Sequence, residues 1–99
     1  MIRRITLKNQ DEFEAMIENQ DEGISNAIVE VALANLDTDK RYVPVLEVIL
    51  EDEEVDYDIS LDTNNIVETL EQNLEIQELY ENYETCSSIK KALDKLKSK

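Results

Sequence analysis

Residues 55 to 61 alternate strictly between apolar and polar side chains, and this pattern constrains the fold more than any other stretch. The apolar members are Val55, Tyr57, Ile59 and Leu61, and the polar ones are Asp56, Asp58 and Ser60. Because successive side chains of a strand point to opposite faces, the pattern predicts a β-strand with one buried side and one solvent-facing side. Residues 42–50 form another β-prone run, with Pro44 near its start, and the acidic turn 51–54 separates the two runs. The sequence therefore predicts a β-hairpin.

The N-terminal segment predicts a strand followed by a helix. Ile2, Ile5 and Leu7 lie in a short β-prone run. Asn9, with Glu12 three residues later, resembles a capping box, in which side-chain oxygens satisfy the free amides at the start of a helix. We therefore predict a first strand over this run and a first helix over residues 10–19.

Residues 27–34 are ambiguous. As a helix, their apolar side chains would point in all directions; as a strand, Val29, Val31 and Leu33 would share one face. The β-branched content favours a second strand. Residues 35–41, which are rich in Asn, Asp and Thr, predict a loop before the hairpin.

Residues 62–99 predict three helices. Asp62 or Thr63 is the expected cap of the first, whose apolar stripe consists of Ile66, Val67, Leu70 and Leu74. After this stripe the apolar phase shifts to Ile76, Leu79, Tyr80 and Tyr83. A straight helix cannot bury both stripes on one side, so we predict a break at residues 73–75 and a second helix that ends near Glu84.

Ser87 or Ser88 is the expected cap of the last helix. Its inward residues are predicted to be Ile89, Ala92, Leu93 and Leu96, and its outer face carries Lys90, Lys91, Lys95 and Lys97. These lysines are expected at the negative end of the helix dipole or against the protein's own acidic surface. The predicted order is βαβββααα, a small antiparallel sheet with helices packed on one face, in one α+β domain over residues 1–99.

Charge is distributed unevenly along the chain. Residues 42–89, here called the acidic block, contain fourteen carboxylates and no Lys, Arg or His. The rest of the chain has ten acidic and ten basic residues, so the whole formal charge of -14 belongs to this block. Such a charge repels nucleic acid and anionic lipid. We therefore expect no direct nucleic-acid binding and no membrane association, and we predict a partner with a basic surface.

Catalytic and metal-binding patterns are not recognisable. The chain has no histidine, its single Cys86 has no activating base, and one glycine cannot form a phosphate-binding loop. The oxygen-rich stretches 37–39 and 52–56 lack the glycine and terminal glutamate of a calcium-binding EF-hand. We predict no enzyme, no cofactor and no metal. The lone cysteine, and the lack of an apolar signal segment, indicate a cytoplasmic setting.

Carboxylates recur in the acidic block at spacings that align them. On a strand, side chains two residues apart lie roughly 7 Å from each other on one face. On a helix, side chains three or four residues apart lie roughly 5 to 6 Å from each other. Rows of negative charge at such intervals resemble a phosphate backbone. The predicted partner-binding residues are Glu53, Glu54, Asp56, Asp58, Glu68, Glu71, Glu75 and Glu78. The short connection at residues 62–63 is expected to keep the two groups close in space.

Two functions fit this pattern. The first is a DNA mimic that occupies the basic nucleic-acid-binding surface of another protein. The second is an acidic adaptor or assembly module that acts through an apolar protein interface. Salt should discriminate them, because charge-driven binding weakens steeply with ionic strength whereas apolar binding does not.

Part of the chain resembles a known family. Residues 46–50, the acidic turn, residues 56–60 and the step Asn65-Ile66-Val67-Glu68 are similar to the small acidic phage proteins that inhibit Cas9. The resemblance extends over residues 46–74. It implies a phage-encoded anti-CRISPR inhibitor in the cytoplasm of a bacterial host, with acidic side chains in the site that binds the PAM duplex. A CRISPR effector is then the expected partner.

Overall fold

The computed structural model describes residues 3–98 and confirms the α+β class. Its elements in chain order are β1 (Arg3–Leu7), α1 (Gln10–Glu18), α2 (Glu22–Ala34), β2 (Tyr42–Leu50), β3 (Val55–Asp62), one 3-10 turn (Thr63–Asn65), α3 (Ile66–Leu79) and α4 (Tyr83–Lys97). The predicted first strand is present as β1, although Ile2 lies outside the described residues. Asn9 caps α1 as predicted, because its Oδ1 accepts a hydrogen bond from the Glu12 amide at 3.0 Å.

The three strands form one mixed sheet in the order β1-β2-β3. β2 and β3 pair antiparallel and form the predicted hairpin. β1 pairs parallel with β2, so the prediction of an antiparallel sheet is wrong. The physical reason is that both α1 and α2 lie between these strands in the chain. A crossover through helices returns the chain to the end of the sheet where it began, and the next strand then runs parallel.

The second strand predicted over residues 27–34 is wrong, because this segment lies inside α2. Asp21 caps that helix, and its Oδ2 accepts a hydrogen bond from the Ile24 amide at 3.0 Å. α2 packs on the sheet and also contacts α3 and α4. A helix that is buried on several sides has no single apolar stripe, and this packing outweighs the β-propensity of its side chains.

The break predicted at residues 73–75 is also wrong, because α3 is one continuous helix. Its buried side consists of Ile66, Leu70, Asn73 and Gln77, so two polar residues extend the apolar stripe at helical spacing. They are buried without penalty because both are hydrogen bonded. Asn73 Oδ1 accepts from Ser25 Oγ at 2.8 Å, and Gln77 Nε2 donates to Ser25 Oγ at 2.9 Å.

The turn between α3 and α4 is a Schellman motif without glycine. The Asn82 amide donates to the Gln77 carbonyl at 3.0 Å, and the Glu81 amide donates to the Glu78 carbonyl at 3.1 Å. Glu81 therefore takes a left-handed backbone with φ of 59°. α4 then begins at Tyr83, one turn before the predicted caps at residues 87–88.

The inward face of α4 follows the prediction. Ile89, Ala92 and Leu93 are buried, Leu96 is partly buried, and Cys86 extends the same face. Asp62 caps the 3-10 turn before α3 and not α3 itself, since its Oδ1 accepts from the Asn64 amide at 3.0 Å, whereas α3 begins after Asn65, which makes no side-chain cap bond.

The helices cover one face of the sheet and leave the other open to solvent. On the covered face Leu46, Val48 and Leu50 of β2 are buried, and Tyr57 of β3 packs edge-on against Phe13 of α1. On the opposite face the strands present a row of polar side chains, here called the open face: Arg4, Thr6, Glu47, Asp56 and Asp58.

Candidate partner-binding surfaces

The outer side of α3 carries a row of carboxylates, here called the α3 stripe. Its members are Glu68, Glu71, Glu75 and Glu78, and all four are exposed. They stand away from the core because the buried side of the helix is occupied by the stripe that includes Leu70 and Gln77. At about 1.5 Å rise per residue, the row is about 15 Å long and carries one charge per about 5 Å. No Lys or Arg occurs in α3.

One lysine from α4 reaches this row. Lys97 Nζ lies 3.1 Å from Glu71 Oε2, and the two side chains are 55% and 51% exposed. A half-exposed pair of this kind contributes between about 0 and 1 kcal/mol, since water screens it. Lys97 therefore lies against the acidic block, and both Lys95 and Lys97 stand in the last turn of α4, so each expected position is found for part of the basic face. The pair is weak enough to open when a stronger cation approaches.

The open face carries Asp56 and Asp58, both exposed. Asp58 lies opposite Glu47 in the pairing of β2 with β3. Glu47 in turn lies opposite Arg4 of β1, and the Arg4 guanidinium forms an ion pair with the Glu47 carboxylate. The negative charge of this face is therefore partly balanced by a residue far away in sequence.

The tip of the hairpin has a structural role. Glu53 Oε2 accepts a hydrogen bond from the Gln10 amide at 2.7 Å, which places a carboxylate at the positive end of α1. Glu54 has a left-handed φ of 51°, and its amide donates to the Glu51 carbonyl at 3.3 Å. Glu53 therefore holds the hairpin against α1, a function that the sequence did not indicate.

The eight predicted partner-binding residues are all exposed, but they do not form one surface. Asp56 and Asp58 lie on the open face, whereas α3 belongs to the helical layer behind the covered face. β3 has eight residues, so at about 3.4 Å per residue roughly 27 Å of strand separates Glu54 from the turn before α3. The expectation that the short connection keeps both groups together is wrong, because strand and helix turn their charged sides away from a shared core.

An apolar cleft between α1, α2 and α3 was not predicted. It has a volume of about 210 Å³, and its apolar lining consists of Met16, Ile17, Ile24, Ile28 and Ile76. Ile17 is 51% exposed, and Leu79, one helical turn after the lining residue Ile76, is 63% exposed. The sequence did contain an indication of this cleft, which was the phase shift after Leu74. The shifted apolar residues do not form a second helix; they lie on α3, on a side next to its buried stripe.

The remaining chemistry of the described residues is sparse. Cys86 is a buried, free thiol. Between residues 3 and 98, no group of three or more acidic, Cys or His side chains is arranged to hold a metal ion. Within the same range, no helix has the length and apolar character that crossing a bilayer requires.

Comparisons of the chain with protein-family models, with curated proteins and with solved structures find no match.

Proposed function

We propose that this protein is a non-enzymatic acidic binding protein that covers a basic, nucleic-acid-binding surface of another protein. The observation that supports the proposal is the α3 stripe. It presents four carboxylates in line on a helix without basic residues, and the packing of Leu70 and Gln77 fixes their direction. Because these carboxylates are held by a folded helix, little ordering entropy opposes their contact with a partner.

The charge density of the stripe suits a surface that binds nucleic acid. One strand of duplex DNA carries one charge per about 3.4 Å of helix axis. The α3 stripe carries one per about 5 Å, which is about two thirds of that density. Lysine and arginine side chains arranged for a phosphate backbone could therefore meet the stripe with small rearrangements. The duplex-binding groove of a CRISPR effector in the bacterial cytoplasm is a partner surface of this kind, as the resemblance of residues 46–74 suggests.

An adaptor function remains the second candidate, and the apolar cleft favours it. An adaptor would bind through Ile17 and Leu79, and its affinity would hardly depend on salt. The proposed mimic would lose affinity as salt rises from about 50 to about 500 mM, because screening acts on exposed charges.

The test is capture followed by competition. The protein is immobilised, a bacterial lysate is passed over it at low and at high salt, and the retained protein is tested for binding to duplex DNA with and without the chain. The proposal expects salt-sensitive retention and displacement of the duplex. The variant Glu68→Gln/Glu75→Gln should bind the retained protein at least about tenfold more weakly than the native chain does. The charge-matched variant Glu12→Gln/Asp39→Asn lies outside α3 and the open face, and it should behave as the native chain. Retention that leaves duplex binding unaffected would contradict the proposal.

A further inference from the structure

The cleft between α1, α2 and α3 has the size and lining of a site for one apolar side chain. An enclosed apolar space of about 150 Å³ accommodates benzene, so about 210 Å³ has room for a leucine or phenylalanine side chain. Three of the polar groups in its lining are already satisfied. Asp21 Oδ2 accepts from the Ile24 amide, and Ser25 Oγ donates to Asn73 Oδ1. What the cleft offers a ligand is therefore mainly its isoleucine and methionine side chains.

The mouth of the cleft is fixed and apolar. Tyr80 Oη donates to the Gln20 carbonyl at 2.9 Å, which ties the end of α3 to the turn that follows α1. Ile17 on α1 lines the cleft and is still exposed, and Leu79 on α3 is exposed one helical turn after the lining residue Ile76. An exposed apolar patch next to such a pocket is typical of a surface that binds another chain.

Carboxylates flank the cleft on α1 and α3, whereas Arg3 and Arg4 line the neighbouring hollow that shares Met16, Asp21 and Ile24 with it. Glu14 stands three residues before Ile17, and Glu75 stands four residues before Leu79, so each exposed carboxylate neighbours an exposed apolar side chain. Neither α1 nor α3 contains Lys or Arg. No basic residue lines the cleft among the described residues.

We infer that this cleft docks a partner segment with one large apolar side chain flanked by lysine or arginine. Charge complementarity selects that occupant, because the carboxylates beside the mouth attract cations while the lining accepts the apolar group. A second copy docked through the same face would place Glu14 and Glu75 of both molecules against each other, and the like charges would repel. The chain's own Lys95-Leu96-Lys97 has the required pattern, but Leu96 is packed against the core of its own molecule, so the segment belongs to a different protein. The inference rests on the proposed function. It describes a second segment of the same basic partner, which would bind in the cleft while the α3 stripe contacts the partner's basic surface.

The test uses labelled synthetic pentapeptides with a central leucine and two lysines on each side. In matched peptides alanine replaces the leucine, or glutamate replaces the lysines. Backbone amide NMR shifts are followed up to millimolar peptide. The inference expects the leucine–lysine peptide to shift the amides of Ile17, Ile76 and Leu79, with at least about fivefold weaker binding of each matched peptide.

The variant Ile17→Ser/Leu79→Ser should bind the leucine and alanine peptides equally. Its control, Val55→Ser, changes an exposed apolar residue at the hairpin and should still distinguish them. Equal binding of leucine and alanine peptides by the native chain would overturn the cleft inference and leave the proposed function standing. Equal binding of lysine and glutamate peptides at the cleft would overturn the basic flanks of the docked segment and with them the inference, whereas the proposed function is overturned only by the competition experiment on the α3 stripe. Shifts at the cleft that depend on protein concentration without peptide would show a second copy there, and would overturn the inference.

Discussion

Replacing Gln77 with alanine should destabilise the protein by about 2 kcal/mol, although the change is conservative for helix formation. Gln77 is fully buried, at 0% exposure. Its Nε2 donates to Ser25 Oγ and to Asn26 Oδ1, each at 2.9 Å, and its Oε1 accepts from Asn82 Nδ2 at 2.8 Å. This one side chain therefore links α3 to α2 and to the turn before α4.

The magnitude follows from these contacts. Each of the three hydrogen bonds contributes about 1 kcal/mol net, and the one buried methylene that alanine lacks contributes about 0.8 kcal/mol. Alanine recovers up to about 2 kcal/mol of side-chain entropy and a few tenths of a kcal/mol of helix propensity. The balance leaves between about 1.5 and 2 kcal/mol of lost stability.

Urea unfolding measures this loss directly. With a slope of about 1 to 1.5 kcal/mol per molar urea, the midpoint should fall by between about 1 and 2 M. Gln72→Ala is the matched control, because Gln72 is an exposed residue of the same type on the same helix, and it should change stability by less than about 0.5 kcal/mol. If the two variants had equal midpoints, the buried polar contacts would not be what keeps α3 continuous.

Three further predictions concern the turns, the charge and the cysteine. Glu81→Gly should stabilise the fold by about 1 kcal/mol, because glycine adopts the left-handed φ of 59° without strain. The control Glu84→Gly, within α4, should destabilise it. A thermal midpoint that is higher for Glu84→Gly than for Glu81→Gly would refute this. The thermal midpoint should rise as sodium chloride is added, because salt screens the repulsion among charges that sum to -14, and a falling midpoint would contradict it. Cys86→Ser should keep the affinity for any captured partner, because the thiol is buried; circular dichroism checks the fold, and lost binding with the fold intact would show a role for the thiol.

Local patterns were sufficient for the hairpin, the cap of α1 and the inward face of α4. The period of two over residues 55–61 and the apolar spacing from Ile89 to Leu93 each depend on residues close together in sequence. The cap at Asn9 needs only the amide three residues on. Such features are readable because the interacting groups lie on the same element.

Contacts between distant residues decided what the sequence could not show. Asn73 and Gln77 are acceptable in the buried side of α3 only because Ser25 lies beside them, 48 and 52 residues away in the chain. The acidic block contains no basic residue in sequence, but in the folded protein Arg4, 43 residues away, pairs with Glu47 and balances part of its charge. Neither partnership leaves a periodic signal in the sequence.

The most direct test of the central claim is the salt dependence of affinity for the captured basic partner, measured for the native chain and for Glu68→Gln/Glu75→Gln/Glu78→Gln. The account predicts that the native affinity falls steeply between about 50 and about 500 mM salt, and that the variant binds at least about tenfold more weakly at low salt with a clearly shallower dependence. Affinity and salt dependence that are the same for both proteins would contradict the claim that the α3 stripe contacts the partner.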